Sequence, residues 1–174
     1  MGRSSSSGST HSGRAAPRNR AAPAARALPL APAEPACHAA AMTPAPAIVT
    51  AVTLRYSDMD AQGHLNNAVY ATLCEAGRVD YVAQRLADAV PDGAGFVIVR
   101  LAIDFRAEAR YPGTARIETA VVRVGTSSLA FRQRITLGEA LVAEGEGVCV
   151  LFDLQHRRAL PLTPLLRERL GCAG

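Results

Sequence analysis

From Asn67 to Ala89 the chain contains no proline and a single glycine, and its apolar residues recur at helical spacing. Pro91-Asp92-Gly93 closes the run. The spacing predicts one helix of about six turns. A single long helix has to bury its apolar side against something, and nearly everything else here with regular patterning reads as strand. A sheet that wraps the helix is the arrangement that satisfies both.

The strand signals are period-two. Ile48, Thr50, Val52, Leu54 and Tyr56 fall on one face of a first strand, and a polar loop follows over 57–66. Four more segments come after the helix, at 96–106, 114–124, 128–137 and 140–153. In the first, Val97, Val99, Leu101, Ile103 and Phe105 oppose Arg100, Asp104 and Arg106. In the second, Arg116 and Glu118 share a polar face; in the third, Leu129, Phe131, Ile135 and Leu137 alternate with Arg132 and Arg134. Turns at Gly125-Thr126-Ser127 and Leu137-Gly138-Glu139 join the last three into an antiparallel meander with one face buried and one wet. Pro161 and Pro164 introduce a short terminal helix, Leu165 to Leu170. The expected fold is α+β: a long central helix wrapped by a five-stranded antiparallel sheet, over residues 48–170.

Residues 1–47 are different in kind. They are Ser, Gly, Ala, Pro and Arg with almost nothing large and apolar, so they cannot bury enough surface to offset the entropy of ordering. They hold five Arg against one acid, whereas the remainder holds fourteen of each, so the basic isoelectric point belongs to the tail. A nucleic-acid-binding domain is expected to carry its own basic stripe, and this one does not. A transit peptide fits the Arg and Ser content, but prolines at 17, 23, 29, 32 and 35 would break its helix. A secretory signal fails because Ala27-Leu28-Pro29-Leu30 is too short an apolar patch. The preferred reading places the natural start at Met42, with the residues before it a mis-called extension; activity retained by a chain begun at Met42 is the expected outcome.

Other classes fall away quickly. No apolar run approaches the roughly 18 residues of a membrane span. Cys37, Cys74, Cys149 and Cys172 form no CxxC, so no disulfide framework or zinc site is implied. Cys74 and Cys149 are expected to be buried thiols in a reducing, cytoplasmic setting. Gly145-Glu146-Gly147 lies inside a strand with no helix after it, which argues against a nucleotide loop. There is no GxSxG elbow and no Cys–His pair at useful spacing.

Chemistry concentrates in the loop before the helix, where Asp58, Asp60, Gln62, His64, Asn66 and Asn67 lie close together. Turn chemistry alone explains some of them, since Asn66 or Asn67 makes a good N-cap. The loop nevertheless delivers its polar groups to a helix N-terminus, whose free N–H groups and dipole stabilise developing negative charge. A carboxylate beside such a helix end suits acyl transfer. Asp58, Asp60 and His64 could touch a cation, but nothing completes a ligand set, and no metal or cofactor is expected. On a helical projection Val79, Val82 and Leu86 fall within about 40° of Ala68, and Glu75 falls inside that stripe. A carboxylate on a buried face needs a partner or a task. Both readings stand on the stripe alone.

At these residues the chain resembles the 4-hydroxybenzoyl-CoA thioesterase family of hot-dog proteins. The resemblance rests on Arg55-Tyr56-Ser57-Asp58-Met59-Asp60, Gly63-His64-Leu65-Asn66-Asn67-Ala68-Val69-Tyr70 and Glu75-Ala76-Gly77-Arg78. It continues through Ile103-Asp104-Phe105, Tyr111-Pro112-Gly113-Thr114, Val122-Arg123-Val124-Gly125-Thr126-Ser127-Ser128 and Leu160-Pro161-Leu162. It covers about residues 48–170 and implies a hot-dog fold that forms homodimers, with sites at the subunit interface, often paired into homotetramers. It implies that Asp60 is the catalytic carboxylate, as nucleophile or as base for water, that the backbone N–H near Asn67 is the oxyanion donor, that His64 assists, and that Glu75 lines the site. Asn66, Tyr70, Arg123, Ser127 and Ser128 are then expected on the substrate. Some members carry a basic cluster where this chain has Gly125-Thr126-Ser127-Ser128 with only Arg123 adjacent, which leaves a carrier-protein thioester open beside a CoA thioester.

The expected activity is hydrolysis of a small or medium acyl-CoA. An enoyl-thioester hydratase or dehydratase is the alternative, but its chemistry looks for His five residues after Asp, and here Asp60 precedes His64 by four. A non-catalytic acyl-thioester-binding protein is the other, and an intact Asp60, His64 and Glu75 argue against it. Neither nucleic acid nor membrane is an expected partner.

Overall fold

The computed structural model describes residues 46–172, so the expectations for the tail, Met42 and Cys37 lie outside the described residues. The elements run β1 (Ile48–Thr53), α1 (Asn67–Arg85), β2 (Ala94–Phe105), β3 (Thr114–Val124), β4 (Ser128–Leu137), β5 (Ala140–Asp153), β6 (Arg158–Ala159) and α2 (Pro164–Arg169). One antiparallel sheet carries the order β1-β3-β4-β5-β2, and the two-residue β6 pairs with the end of β5. The five long strands and the β3-β4-β5 meander match expectation; β6 is an addition. The chain has the hot-dog fold, with α1 packed against the inner face of the sheet.

Several boundaries and faces differ from the sequence reading for physical reasons. The first strand stops at Thr53, and Tyr56 enters a 3₁₀ turn (Tyr56–Asp58) that leaves its ring 80% exposed. Helix α1 ends at Arg85 rather than Ala89, because Leu86 and Ala89 turn inward and are buried. Strand β2 carries a bulge between Ile98 and Arg100, and it reverses the alternation. Phe96 and Ile98, not Val97 and Val99, therefore stand opposite the inward Leu151 and Cys149, while Leu101, Ile103 and Phe105 follow on that same face. A second shift in β3, between Val121 and Arg123, brings Val121 and Val124 both inward.

The larger correction concerns α1. Its buried residues are Tyr70, Leu73, Cys74, Gly77, Arg78 and Tyr81. Ala68, Glu75 and Val79 are exposed, Val79 at 62%, so the stripe that held Glu75 is not the face the sheet covers. The true inner face contains a glycine and an arginine and therefore scores as less apolar than the outer one. Gly77 is there for space: a Cβ would lie 2.5 Å from Thr119 Oγ1 and 2.7 Å from Gln133 Nε2. Gly145 and Gly147, on the inward row of β5, make room from the other side. A Cβ at Gly145 would meet Cys74 Sγ at 3.0 Å, and one at Gly147 would meet Arg78 Nη1 at 3.5 Å. Two apolar clusters flank this close approach, one around Tyr81, Phe131 and Leu151, the other around Leu73, Ile117 and Ile135. Cys172 belongs to the first cluster and is buried, while Thr163 caps α2 by accepting from Leu166 N–H at 3.1 Å.

Candidate active site

The loop between β1 and α1 is built by its own hydrogen bonds. Met59 and Leu65 form an isolated antiparallel bridge, Asp60 N–H donates to His64 O at 2.8 Å, and Gly63 N–H donates to Asp60 O at 3.0 Å. Gly63 takes φ +75°, which the reversal requires and a side chain would resist. The Asp60 carboxylate completes the turn: Oδ1 accepts from Gln62 N–H at 2.8 Å and His64 N–H at 3.0 Å. Oδ2 accepts from none of the described residues. Two N–H donors on one oxygen hold the carboxylate in a single orientation and leave the second oxygen open.

Asp58, two residues earlier, has a different part. It is buried, and its carboxylate takes Arg55 N–H at 2.7 Å, Nε at 3.1 Å and Nη2 at 2.8 Å. The Arg55 guanidinium and backbone hold its pKa below the ordinary carboxylate value, against the opposing effect of burial. Its carbonyl accepts from Asn66 N–H at 2.9 Å, so Asp58 ties the start of the loop to the start of the helix.

Asn66 is the N-cap, its Oδ1 accepting from Ala68 N–H at 2.9 Å. Asn67, the first helical residue, has an N–H with no acceptor among the described residues. An uncommitted N–H at the positive end of a 19-residue helix is chemically able to donate to a developing oxyanion.

His64 does not aim its ring at Asp60. Its Nε2 lies 3.2 Å from Glu108 Oε2 and hydrogen-bonds Arg110, which itself meets Glu108 at 3.2 Å. Glu108 and Arg110 sit in the β2–β3 connection, and Ala109 O between them accepts from Leu65 N–H at 2.8 Å. Sequence reasoning missed both. The alternation Arg106-Ala107-Glu108-Ala109-Arg110 was the available signal, but nothing local tied it to a loop more than forty residues earlier.

The remaining expected site residues are dispersed. Tyr70 is buried beneath the helix start, its ring edge-on to Phe105 at 5.1 Å, and burial raises its phenol pKa. Glu75 is exposed and lines a groove between α1 and β2. Arg123, Ser127 and Ser128 lie at the far end of β3 and the turn into β4, about 30 Å along the strand from the end that meets the Asp60 loop. That turn is held by Gly125 N–H to Ser128 O at 2.8 Å and by Arg167 Nη2 donating to Gly125 O at 3.0 Å. One copy of the chain does not bring Arg123, Ser127 or Ser128 to Asp60. No group of three metal-ligating side chains occurs among the described residues, and no helix among them is long and apolar enough to cross a membrane.

A hot-dog sheet around one helix, in a chain that matches a thioesterase family model over most of its length, defines a class: hydrolases of thioesters. The chain belongs to the thioesterase-like superfamily, whose family model matches residues 54–170. Among solved structures it is similar to a predicted thioesterase from Bacillus stearothermophilus, at 27% identity and TM-score 0.65, over 71% of this chain and 93% of that one. It is also similar to YbaW, described as a probable thioesterase, from Escherichia coli, at 27% identity and TM-score 0.63, over 71% and 96%. The DHNA-CoA thioesterase of Staphylococcus aureus shares the fold at 20% identity, TM-score 0.65, over 71% and 87%. None of the curated proteins matches the chain.

Proposed function

We propose that the chain hydrolyses the thioester of a small or medium acyl-CoA, with Asp60 as the reacting carboxylate. The observation that carries this reading is the posture of Asp60. One oxygen is pinned by two backbone N–H groups, the other is open, and the helix that follows begins with a free N–H at Asn67. In the reaction, the thioester carbonyl oxygen accepts from Asn67 N–H. Asp60 either attacks the carbonyl carbon, giving a mixed anhydride that water then opens, or takes a proton from water as the water attacks. Both routes break the C–S bond, release the thiol and leave the acid. His64 contributes its N–H to Asp60, and its ring, held by Glu108 and Arg110, bounds the loop. Asn66 fixes the helix start.

The support for a CoA leaving group is the Staphylococcus aureus neighbour, named for a CoA thioester. The proposed assembly is a homodimer, itself paired into homotetramers. Among the described residues strand β2 is an unpaired sheet edge with Ile98, Val99 and Phe105 exposed, and such an edge invites pairing with a second copy. An assembly of that kind supplies the route by which Arg123, Ser127 and Ser128 of one copy meet a substrate bound at another's Asp60. The buried thiols Cys74 and Cys149 suit a cytoplasmic setting.

The test is Asp60→Asn in a thiol-release assay over acyl-CoA chain lengths. Turnover should fall by at least about a hundredfold, the size of a nucleophile or acid–base contribution, with the thermal melt unchanged. Near-full turnover would move the chemistry elsewhere.

A further inference from the structure

The connection between β2 and β3 is tied to the Asp60 loop at several points, and the ties differ in kind. Three are made by backbone N–H groups. Leu54 N–H donates to Gly113 O at 2.9 Å, Leu65 N–H to Ala109 O at 2.8 Å, and Tyr111 N–H to Met59 Sδ at 3.3 Å. These set where the connection lies, and they need no particular side chain at 108 or 110. Glu108 and Arg110 flank the buried Ala109, and both side chains converge on one atom, Nε2 of His64. Glu108 Oε2 lies 3.2 Å from it, Arg110 Nη2 hydrogen-bonds it, and Arg110 meets Glu108 at 3.2 Å. A ring nitrogen carries either a proton or a lone pair. With a proton on Nε2, Glu108 accepts; with the lone pair there, Arg110 donates. The ring is therefore held with either tautomer. Among the described residues it has no other side-chain partner. Arg110 also closes over the turn, where a Cβ at Gly63 would lie 3.5 Å from its Nη1.

His64 is at the same time the residue whose N–H holds the bound oxygen of Asp60, at 3.0 Å, and whose carbonyl accepts from Asp60 N–H at 2.8 Å. A ring fixed at its far end limits how far the peptide at its near end can swing. Exposed ion pairs add little to folding stability, so stability alone does not account for an acid and a base gathered on one imidazole nitrogen. Placement does, since an error of about 1 Å in a reacting group costs about a hundredfold in rate. Resting on the thioesterase reading, we propose that Glu108 and Arg110 are positioning residues for the reaction: they hold the His64 ring, and through it the backbone N–H that aims the Asp60 carboxylate.

Two measurements test it, one of which needs no turnover. Hydrogen exchange reads the hold on the loop directly. In Glu108→Ala and in Arg110→Met the amides of Gln62 and His64 should exchange at least about fivefold faster than in wild type, while amides of the β3-β4-β5 meander and the thermal melt stay unchanged. Thiol release from acyl-CoA should show kcat lowered at least about fivefold in each variant with KM unchanged, as for a group that acts only on the reacting geometry. Glu108→Gln still offers Nε2 an acceptor and Arg110→Lys still offers a donor, so each should keep most of kcat. In a His64→Leu background neither Glu108→Ala nor Arg110→Met should lower kcat further, because the ring through which they act is gone. Exchange or kcat unchanged in both variants overturns the proposal, as does a loss that multiplies with that of His64→Leu. Faster exchange in the variants, with no thiol release from any acyl-CoA by wild type, would instead sustain the hold on Asp60 and overturn the hydrolase reading.

Discussion

Asp58 and Asp60 are chemically identical and two residues apart, and their surroundings give them opposite tasks. Asp58 has both oxygens on Arg55 and lies buried; Asp60 has one oxygen bound and one open. The depressed pKa of Asp58 makes it a contributor to stability with a definite pH window. A carboxyl lowered in the folded state stabilises fully above its unfolded pKa of about 3.9 and loses that contribution as pH falls through the folded value. Asp58→Asn should therefore destabilise the protein at neutral pH in urea titrations. The gap from wild type should close as the pH drops below about 4. A gap that persists at low pH would mean that Asp58 acts by shape and not by charge. The loop was legible in the sequence because its signals are local: Gly63, the Asx residues and the N-cap all act within a few positions. Arg78 was not, because its part depends on Gln133, which is fifty-five residues away.

At the scale of elements, α1 shows where periodicity misleads. Choosing the most apolar stripe selected Ala68, Val79, Val82 and Leu86, but the sheet covers the face with Cys74, Gly77 and Arg78. Close approach there depends on the absence of side chains at Gly77, Gly145 and Gly147, and hydrophobicity has no measure of that. The bulge at Val99 misled for a related reason, since one extra residue is invisible to a count of alternation but turns half a strand over. The N-cap was readable in advance, and it carries a prediction. Asn66→Ala should cost about 1 kcal/mol of stability, as cap removals do, and should also lower turnover by loosening the helix end at Asn67. Asn66→Asp, which keeps the acceptor, should recover most of the stability in chemical denaturation.

For the whole molecule, the proposed site has to gather residues that one copy keeps far apart. The Asp60 loop and the turn at Ser127 sit at opposite ends of β3, and β2 ends the sheet with an unpaired, partly apolar edge. The proposed dimer places a second copy on that edge. Sedimentation should find a dimer or tetramer at micromolar concentration, and Val99→Lys should raise the dimer dissociation constant at least tenfold while lowering activity along with it. A monomeric wild type with full activity would remove the assembly from the account.

The hairpin that holds Asp60 has one more consequence. The hydrogen bonds that set its turn run from backbone to backbone, or from backbone to Asp60 itself, and the side chains of Ala61 and Gln62 at its tip take no part in them and are exposed. The posture of the carboxylate and the local surface chemistry are thus encoded by different atoms of the same few residues. A lineage carrying this loop can rewrite its tip, and with it whatever approaches the carboxylate, without disturbing how Asp60 is held. That separation gives such a small fold room to acquire new substrates by single substitutions.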